Sequence, residues 1–270
     1  MKTAFDRYGD YRWILSRNFH VACNFNQGKS LFVGIGEELG NMVLLEMTYL
    51  GKVLNAYYTP YGNHHDLEVT DTQMLVAGSS NMPNTIEDFI YAIDLKTGAI
   101  TQTLSYLTMM DRTRNVGVYY DNRDWMHMNS ITPVQNDVII SSNFQSSIIR
   151  NDWNGQIKWI LGDPKGYTAK YQPYLLKPIG TKFQYPYNQH AVEVLQDTDN
   201  NPDTLDILVF DNGTSRFAID EELQRQIEAH EIVEPALYSR MVQYQINEKT
   251  MTVKQIWSYG EDRPELFAST

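Results

Sequence analysis

Three features of this sequence predict an all-β fold of repeated four-stranded units, a β-propeller: a recurring turn-plus-strand element, blade-like spacing of the turns, and apolar strands upstream of each turn. The element recurs as GDYRWIL from Gly9, GKVLNAYYTP from Gly51, GAITQTLSYL from Gly98, NGQIKWILG from Asn154 and TMTVKQIWSYG from Thr250. Trp13, Trp159 and Trp257 are expected at equivalent places in three of these segments. The turns at Gly51, Gly98 and Gly155 lie 47 and 57 residues apart, room for four short strands and their loops.

The segments MVLLEMTYL, DFIYAIDLKT, SSIIRNDWN and RMVQYQINEK precede four of these turns, so each pair reads as a hairpin. Further upstream, DTQMLVAGSS, NDVIISSNF and TLDILVFDNG read as inner blade strands. Roughly four to five blades are therefore expected, with longer insertions between Gly162 and Tyr185 and between Gly213 and Tyr238. The second carries a helical pattern from Ile219 to Glu231 whose charges suit a solvated surface helix, and His230 on it is given no role. The run from Gly34 to Gly40 departs from a nucleotide-binding glycine loop by one residue and reads as a hairpin turn.

With 33 acidic and 22 basic residues, the net charge of −11 and pI near 5.0 disfavour partners such as nucleic acid or an anionic membrane surface. Small molecules are the expected ligands. A single cysteine, Cys23, excludes an intramolecular disulfide and an all-cysteine metal site. No apolar stretch reaches the length of a membrane span, and the first residues lack the apolar core of a signal peptide.

Histidines carry the chemistry. The pair His64-His65 in YGNHHDLEV, His127 in RDWMHMNSI and His190 in YNQHAVEVL each sit at the start of the innermost strand of a successive unit. Equivalent positions in successive blades face one axis, so these imidazoles are expected to converge. A zinc or iron site is one reading, weakened by the absence of H-x-x-x-H and H-E-x-x-H spacings. The other is binding and transfer of an anion, with one imidazole as nucleophile and the rest donating hydrogen bonds. Asn129 lies two residues beyond His127 and is expected on the same side of the strand. Asp124 is a candidate to orient His127, and Asp66 to orient one imidazole of the pair.

The windows DWMHMNSI, KWILGDPKG, QHAVEV, FDNG and YSR, in this order from residue 124 to 240, resemble the arylsulfate sulfotransferase family. The resemblance covers most of the chain from about Tyr49. It implies a six-bladed propeller with an added N-terminal β domain. The chain 1–270 would then be a partial propeller catalytic domain without that domain and without the final blade portion. It also implies an exported or periplasmic location.

The implied activity is transfer of a sulfuryl group from an aryl sulfate to a phenol by ping-pong kinetics, with no nucleotide cofactor and no metal. His190 matches the family nucleophile that becomes a transient sulfohistidine. His127 and His65 match histidines that contact the sulfuryl oxygens and handle the phenol proton, with His64 and Asn129 as further substrate-binding positions. One departure is expected to matter. Where the family has Ser-Ser-Arg, this chain reads Ser141-Ser142-Asn143, replacing a charged fork by a neutral amide. By analogy with loss of one oxyanion donor, that costs about 2.7–4 kcal/mol of transition-state stabilisation. Impaired turnover, leaving a propeller that binds an aromatic sulfate or another small anion, is the alternative. Arg240 of YSR is the candidate to supply the missing charge, an inter-blade salt bridge being its other reading, whereas Arg150 is expected on an outward position.

Overall fold

A computed structural model of the chain describes residues 2–15, 20–24, 28–36, 42–79, 85–114, 123–197, 199–217, 221–231 and 236–268. The chain opens on a hairpin of β1 (Lys2–Phe5) and β2 (Tyr11–Leu15), followed by four antiparallel sheets in sequence order. The first blade is β3 (His20–Asn24), β4 (Leu31–Gly36), β5 (Met42–Met47) and β6 (Val53–Thr59). The second is β7 (Leu67–Val69), β8 (Gln73–Gly78), β9 (Phe89–Asp94) and β10 (Ile100–Ser105). The third is β11 (Met128–Val134), β12 (Asp137–Ser142), β13 (Ser147–Asp152) and β14 (Ile157–Gly162).

The first insertion contributes β15 (Lys177–Ile179), which adds in parallel to the outer edge of the fourth blade. That blade runs β16 (His190–Val194), β17 (Thr204–Asp211), β18 (Arg240–Asn247) and β19 (Thr252–Tyr259). The second insertion forms α1 (Glu221–Glu228), with His230 exposed just beyond it. All four expected hairpins are present as β5–β6, β9–β10, β13–β14 and β18–β19. β4 and β5 pair antiparallel with Gly36 opposite Met42, while residues 37–41, where the expected turn falls, and the side chain of Cys23 lie outside the described residues. No helix among the described residues is long and apolar enough to cross a membrane.

The inner strands touch in succession, β3 with β7, β7 with β11 and β11 with β16, which makes the chain a propeller of successive blades. Their neighbours read as continuous apolar runs because blades cover them on both faces. Along β8, Met74 and Val76 pack with Phe32 and Leu44 of the first blade. The alternate residues Leu75 and Ala77 pack with Val138 and Ile140 of the third. β12 repeats this, turning Ile139 toward Val209 and Val242 of the fourth blade. Each such buried aliphatic side chain contributes about 1.5–3 kcal/mol relative to exposure.

Trp159 and Trp257 are equivalent in register: they lie opposite Arg150 and Gln243, which are each the fourth residue of their strand and each beside the same register shift. Trp13 and Trp159 each lie four residues after a left-handed turn glycine, Gly9 (φ 87°) and Gly155 (φ 82°). Trp257 lies six residues after its left-handed turn residue, Met251 (φ 54°), at the far end of β19. It is 48% exposed, stacked on Tyr259, whereas Trp159 is buried beneath the fourth blade.

Candidate active site

The site is built where the inner strands begin. His65 (φ 52°), His127 (φ 45°) and Ala191 (φ 51°) hold the left-handed backbone conformation at or just before the start of the inner strands of the second, third and fourth blades. Non-glycine residues pay roughly 1–2 kcal/mol for this conformation, so the surrounding ladder has to enforce it. The backbone N–H of Asn143, just past β12, does so at His127 by donating to its carbonyl at 3.1 Å. By register Glu68, Thr132 and Glu193 correspond, so His65 and His190 each stand three residues before that position and His127 five.

The rings nevertheless converge. Ring centroids are 4.9 Å apart for His65 and His127, 5.7 Å for His65 and His190, and 6.5 Å for His127 and His190. His64 packs edge-on against His65 at 4.0 Å and His127 at 5.3 Å.

Carboxylates assign the protons. Nδ1 of His127 faces Asp124 Oδ2 at 2.6 Å and Glu87 Oε2 at 2.9 Å. Burial alone would depress its pKa, but hydrogen bonds and charge from Asp124 and Glu87 outweigh it and push His127 up to about 9. His127 is therefore an imidazolium at neutral pH, and its Nε2–H donates to Nε2 of His65 across 3.0 Å. His65 accepts because desolvation of its ring within the cluster, then the neighbouring imidazoles of His127 and His190, pull its pKa down to about 3. Burial, with the two neighbouring imidazoles, brings His64 to about 2, so its Nε2–H donates to Glu87 Oε1 at 2.6 Å. Burial also raises the Glu87 carboxyl, and His127 opposes that shift.

His190 is tuned by amides. Its Nδ1 lies 2.8 Å from Asn212 Oδ1 and 3.3 Å from the carbonyl of Asn188. Asn212 is oriented as the acceptor because its Nδ2 donates to the carbonyl of Ala268 at 3.0 Å. Both partners accept, so Nδ1 carries the proton and Nε2 keeps its lone pair. Burial lowers the His190 pKa despite these bonds, keeping the ring neutral and nucleophilic. The FDNG turn makes this possible: Gly213 takes φ 76°, and a Cβ there would collide with the carbonyl of Tyr238. Ser239 of YSR secures the same turn by donating to the carbonyl of Asn212 at 2.9 Å.

Asp124 orients His127 as expected. Asp66 does not orient the histidine pair; its Oδ2 accepts from the backbone N–H of Ile131 at 2.8 Å and so joins β7 to β11. Asn129 donates from Nδ2 to the carbonyl of Gln189 at 2.8 Å, because the left-handed residue at 127 breaks the alternation that the strand pattern assumed. Asn143 forms a reciprocal amide clasp with Asn188, receiving its Nδ2–H at 2.9 Å and donating to its carbonyl at 3.3 Å.

Arg240 is fully buried in an ion-pair network with Asp211 and Glu261, both at 2.7 Å, and its Nη2 donates to Tyr244 and to the carbonyls of Gln184 and Tyr185. Its donors are spent within the fourth blade rather than at the histidines. Arg150 bridges Asp137 and Glu248. Glu87, Asn188 and Asn212 are the contributors that sequence reasoning missed. FDNG marked Asn212, but no sequence signal distinguishes Glu87 in NTIEDFIY.

Two overlapping sets, His64-His65-His127 and Glu87-Asp124-His127, each bring three donor atoms within 4.8 Å of one another and have the chemistry to hold a metal. In the first set His127 is already engaged by Asp124 and Glu87, and in the second these same contacts close the set on itself.

Comparison with known proteins bears on this arrangement. The family model described as Arylsulfotransferase (ASST) matches residues 1–270. Arylsulfate sulfotransferase AssT of Lelliottia amnigena is 27% identical over 96% of this chain and 52% of its own length. The protein of the same name from Escherichia coli O6:H1 is 26% identical with the same coverage. The chain spans about half the length of these curated relatives. A crystal structure of a protein of unknown function from Bacteroides caccae shares the fold, with a TM-score of 0.51 at 10% identity, covering 96% of this chain and 74% of that one.

Proposed function

We propose that this chain, which belongs to the arylsulfotransferase family, moves a sulfuryl group from an aryl sulfate to a phenolic acceptor through His190. The observation that carries the reading is the pairing of a neutral His190, its Nδ1–H fixed on Asn212, with a cationic His127 in the same cluster. In the first half-reaction the Nε2 lone pair attacks sulfur, the S–N bond forms and the S–O(aryl) bond breaks. The phenolate leaves with the bonding pair, and the His127 imidazolium supplies its proton. In the second, the acceptor phenol gives its proton back to His127 and attacks sulfur, and the S–N bond breaks to release His190.

Charge on the sulfuryl oxygens is met by the imidazolium of His127, with His65 and His64 beside it. Asn129 supports this site through the carbonyl of Gln189, next to the nucleophile. Exposure of the full chain to an aryl sulfate, followed by peptide mass spectrometry, tests the reading. A sulfuryl increment on the peptide carrying His190, discharged by added phenol, is the expected result. No adduct and no phenol sulfate product would sink it.

A second reading, a propeller that binds an aromatic sulfate without turnover, draws on the clasp of Asn143 with Asn188 and the burial of Arg240 in its own network. Saturable binding without an adduct or a product would favour it. Activity that survives a chelator and is lost in His190→Ala would dispose of a metal-dependent reaction.

A further inference from the structure

The far ends of the same blades carry a second feature that the chemistry above does not use. β11 starts beside His127 and closes after seven residues on the turn at Gln135 and Asn136, roughly 20 Å away. At that end a recess of about 510 Å³ lies between the second and third blades, and another of about 450 Å³ between the third and fourth. They share Asp137 and Lys158 in their walls, so together they form one elongated groove. Its charged groups pair with one another. Asp137 and Glu248 hold Arg150 at 2.9 and 2.6 Å, and Lys158 meets Asp152 at 3.3 Å. What stays uncommitted is neutral: no hydrogen bond among the described residues engages the side-chain amides of Gln73, Gln102, Gln135 and Asn136. The indoles of Trp13, Trp125 and Trp159 each donate to a protein acceptor, whereas the Trp153 N–H and the Tyr174 hydroxyl in this groove have no such partner. Both rings are partly buried, packed against the core of the second and third blades while lining the groove.

We propose that this groove binds a neutral oligosaccharide. A carboxamide carries donors and an acceptor side by side, and so matches neighbouring hydroxyls, which also donate and accept. Trp153 and Tyr174 combine an apolar ring face, suited to the C–H side of a pyranose, with a polar edge that can hydrogen-bond. Aromatic surface with a few placed polar groups is the usual make-up of a small-molecule site. Length favours several sugar units over one, because the two rings stand in different recesses. The groove has no unpaired cation for an acidic glycan, and the net charge of −11 repels one. Binding at this end does not depend on the sulfuryl-transfer reading, because no residue of the groove belongs to the histidine cluster.

Titration of cellotetraose, maltotetraose and xylotetraose into the full chain, followed by calorimetry and tryptophan fluorescence, tests the groove. Saturable heat and a change in emission are expected with at least one of the three. Trp153→Ala should weaken that binding by at least about tenfold. Asn136→Ala, at an exposed turn position, should weaken it severalfold without loss of Tm. His190→Ala should bind the sugar as the parent chain does, whether or not sulfuryl transfer takes place. No heat with any of the three at millimolar concentration, undiminished binding in Asn136→Ala, loss of binding in His190→Ala, or tighter binding of the acidic tetragalacturonate would each overturn the proposal.

Discussion

Nε2 of His127 lies 3.0 Å from Nε2 of His65, while Nδ1 of the same ring lies 2.6 Å from Asp124. One imidazole therefore joins a carboxylate pair on one side to a neutral histidine on the other, and its charge is the feature most open to experiment. His127 has its pKa raised to about 9, so its positive charge is present at neutral pH and is lost as pH rises through about 9. Sulfuryl transfer should fall along that alkaline limb. In Asp124→Asn the limb should move down toward the ordinary imidazole value near 6.5, leaving the acid limb in place. An unmoved limb in the pH–rate profile would detach Asp124 from this role.

His190, the proposed nucleophile, predicts the opposite limb. His190 is lowered below its ordinary pKa by burial, so activity should persist below pH 6.5 and fail only as the ring protonates in stronger acid. Asn212→Asp puts a carboxylate on the Nδ1–H, which raises the His190 pKa and moves the acid limb upward. His190→Ala should abolish adduct formation altogether. Adduct yield measured against pH by mass spectrometry separates these outcomes.

The clasp of Asn143 with Asn188 predicts a stability effect at the position where the family resemblance leads one to expect arginine. Asn143 is 3% exposed and shares hydrogen bonds with Asn188 in both directions. Asn143→Ala strands buried amide groups and should cost about 1–3 kcal/mol. Asn143→Arg introduces a buried charge into the same space and should lower Tm further unless the clasp opens. Arginine that raises turnover with no loss of Tm would show that the clasp yields and that the charge had been wanting.

Two raised carboxyls of the second blade, Asp66 and Glu68, predict how stability changes with pH. Asp66 and Glu68 have folded-state pKa values raised to about 6 and about 8, so the native chain binds more protons than the unfolded chain between about pH 4 and pH 8. Stability should fall as pH rises through that window. Glu68→Gln should flatten the upper part of the fall. Denaturant midpoints across the range measure it directly.

Much of the fold was legible because each blade repeats the same local chemistry. Left-handed turn residues, hairpins and doubly covered apolar strands recur in order, and the hairpins from β5–β6 to β18–β19 follow from them. Trp257 shows the limit: it holds the register position of Trp159, yet Trp159 is buried beneath the fourth blade and Trp257 is 48% exposed, so matching residue types fixes a place in a blade and not what covers it. The convergence of His65, His127 and His190 was legible as well, since strand starts of successive blades share an axis.

What the sequence by itself determined is therefore the repeat, the histidines at its inner strand starts and the family pattern around them. Tertiary structure alone decided which groups hold those rings. Glu87 reaches His64 and His127 from the second blade, and Asn212 reaches His190 across 22 residues, pairings that no local spacing encodes. It also decided the fate of the amides and arginines: Asn143 closes on Asn188, Asn129 turns to Gln189, and Arg240 is absorbed by Asp211 and Glu261. The physical reason is that buried polar groups must find partners, and those partners come from whichever blade lies alongside.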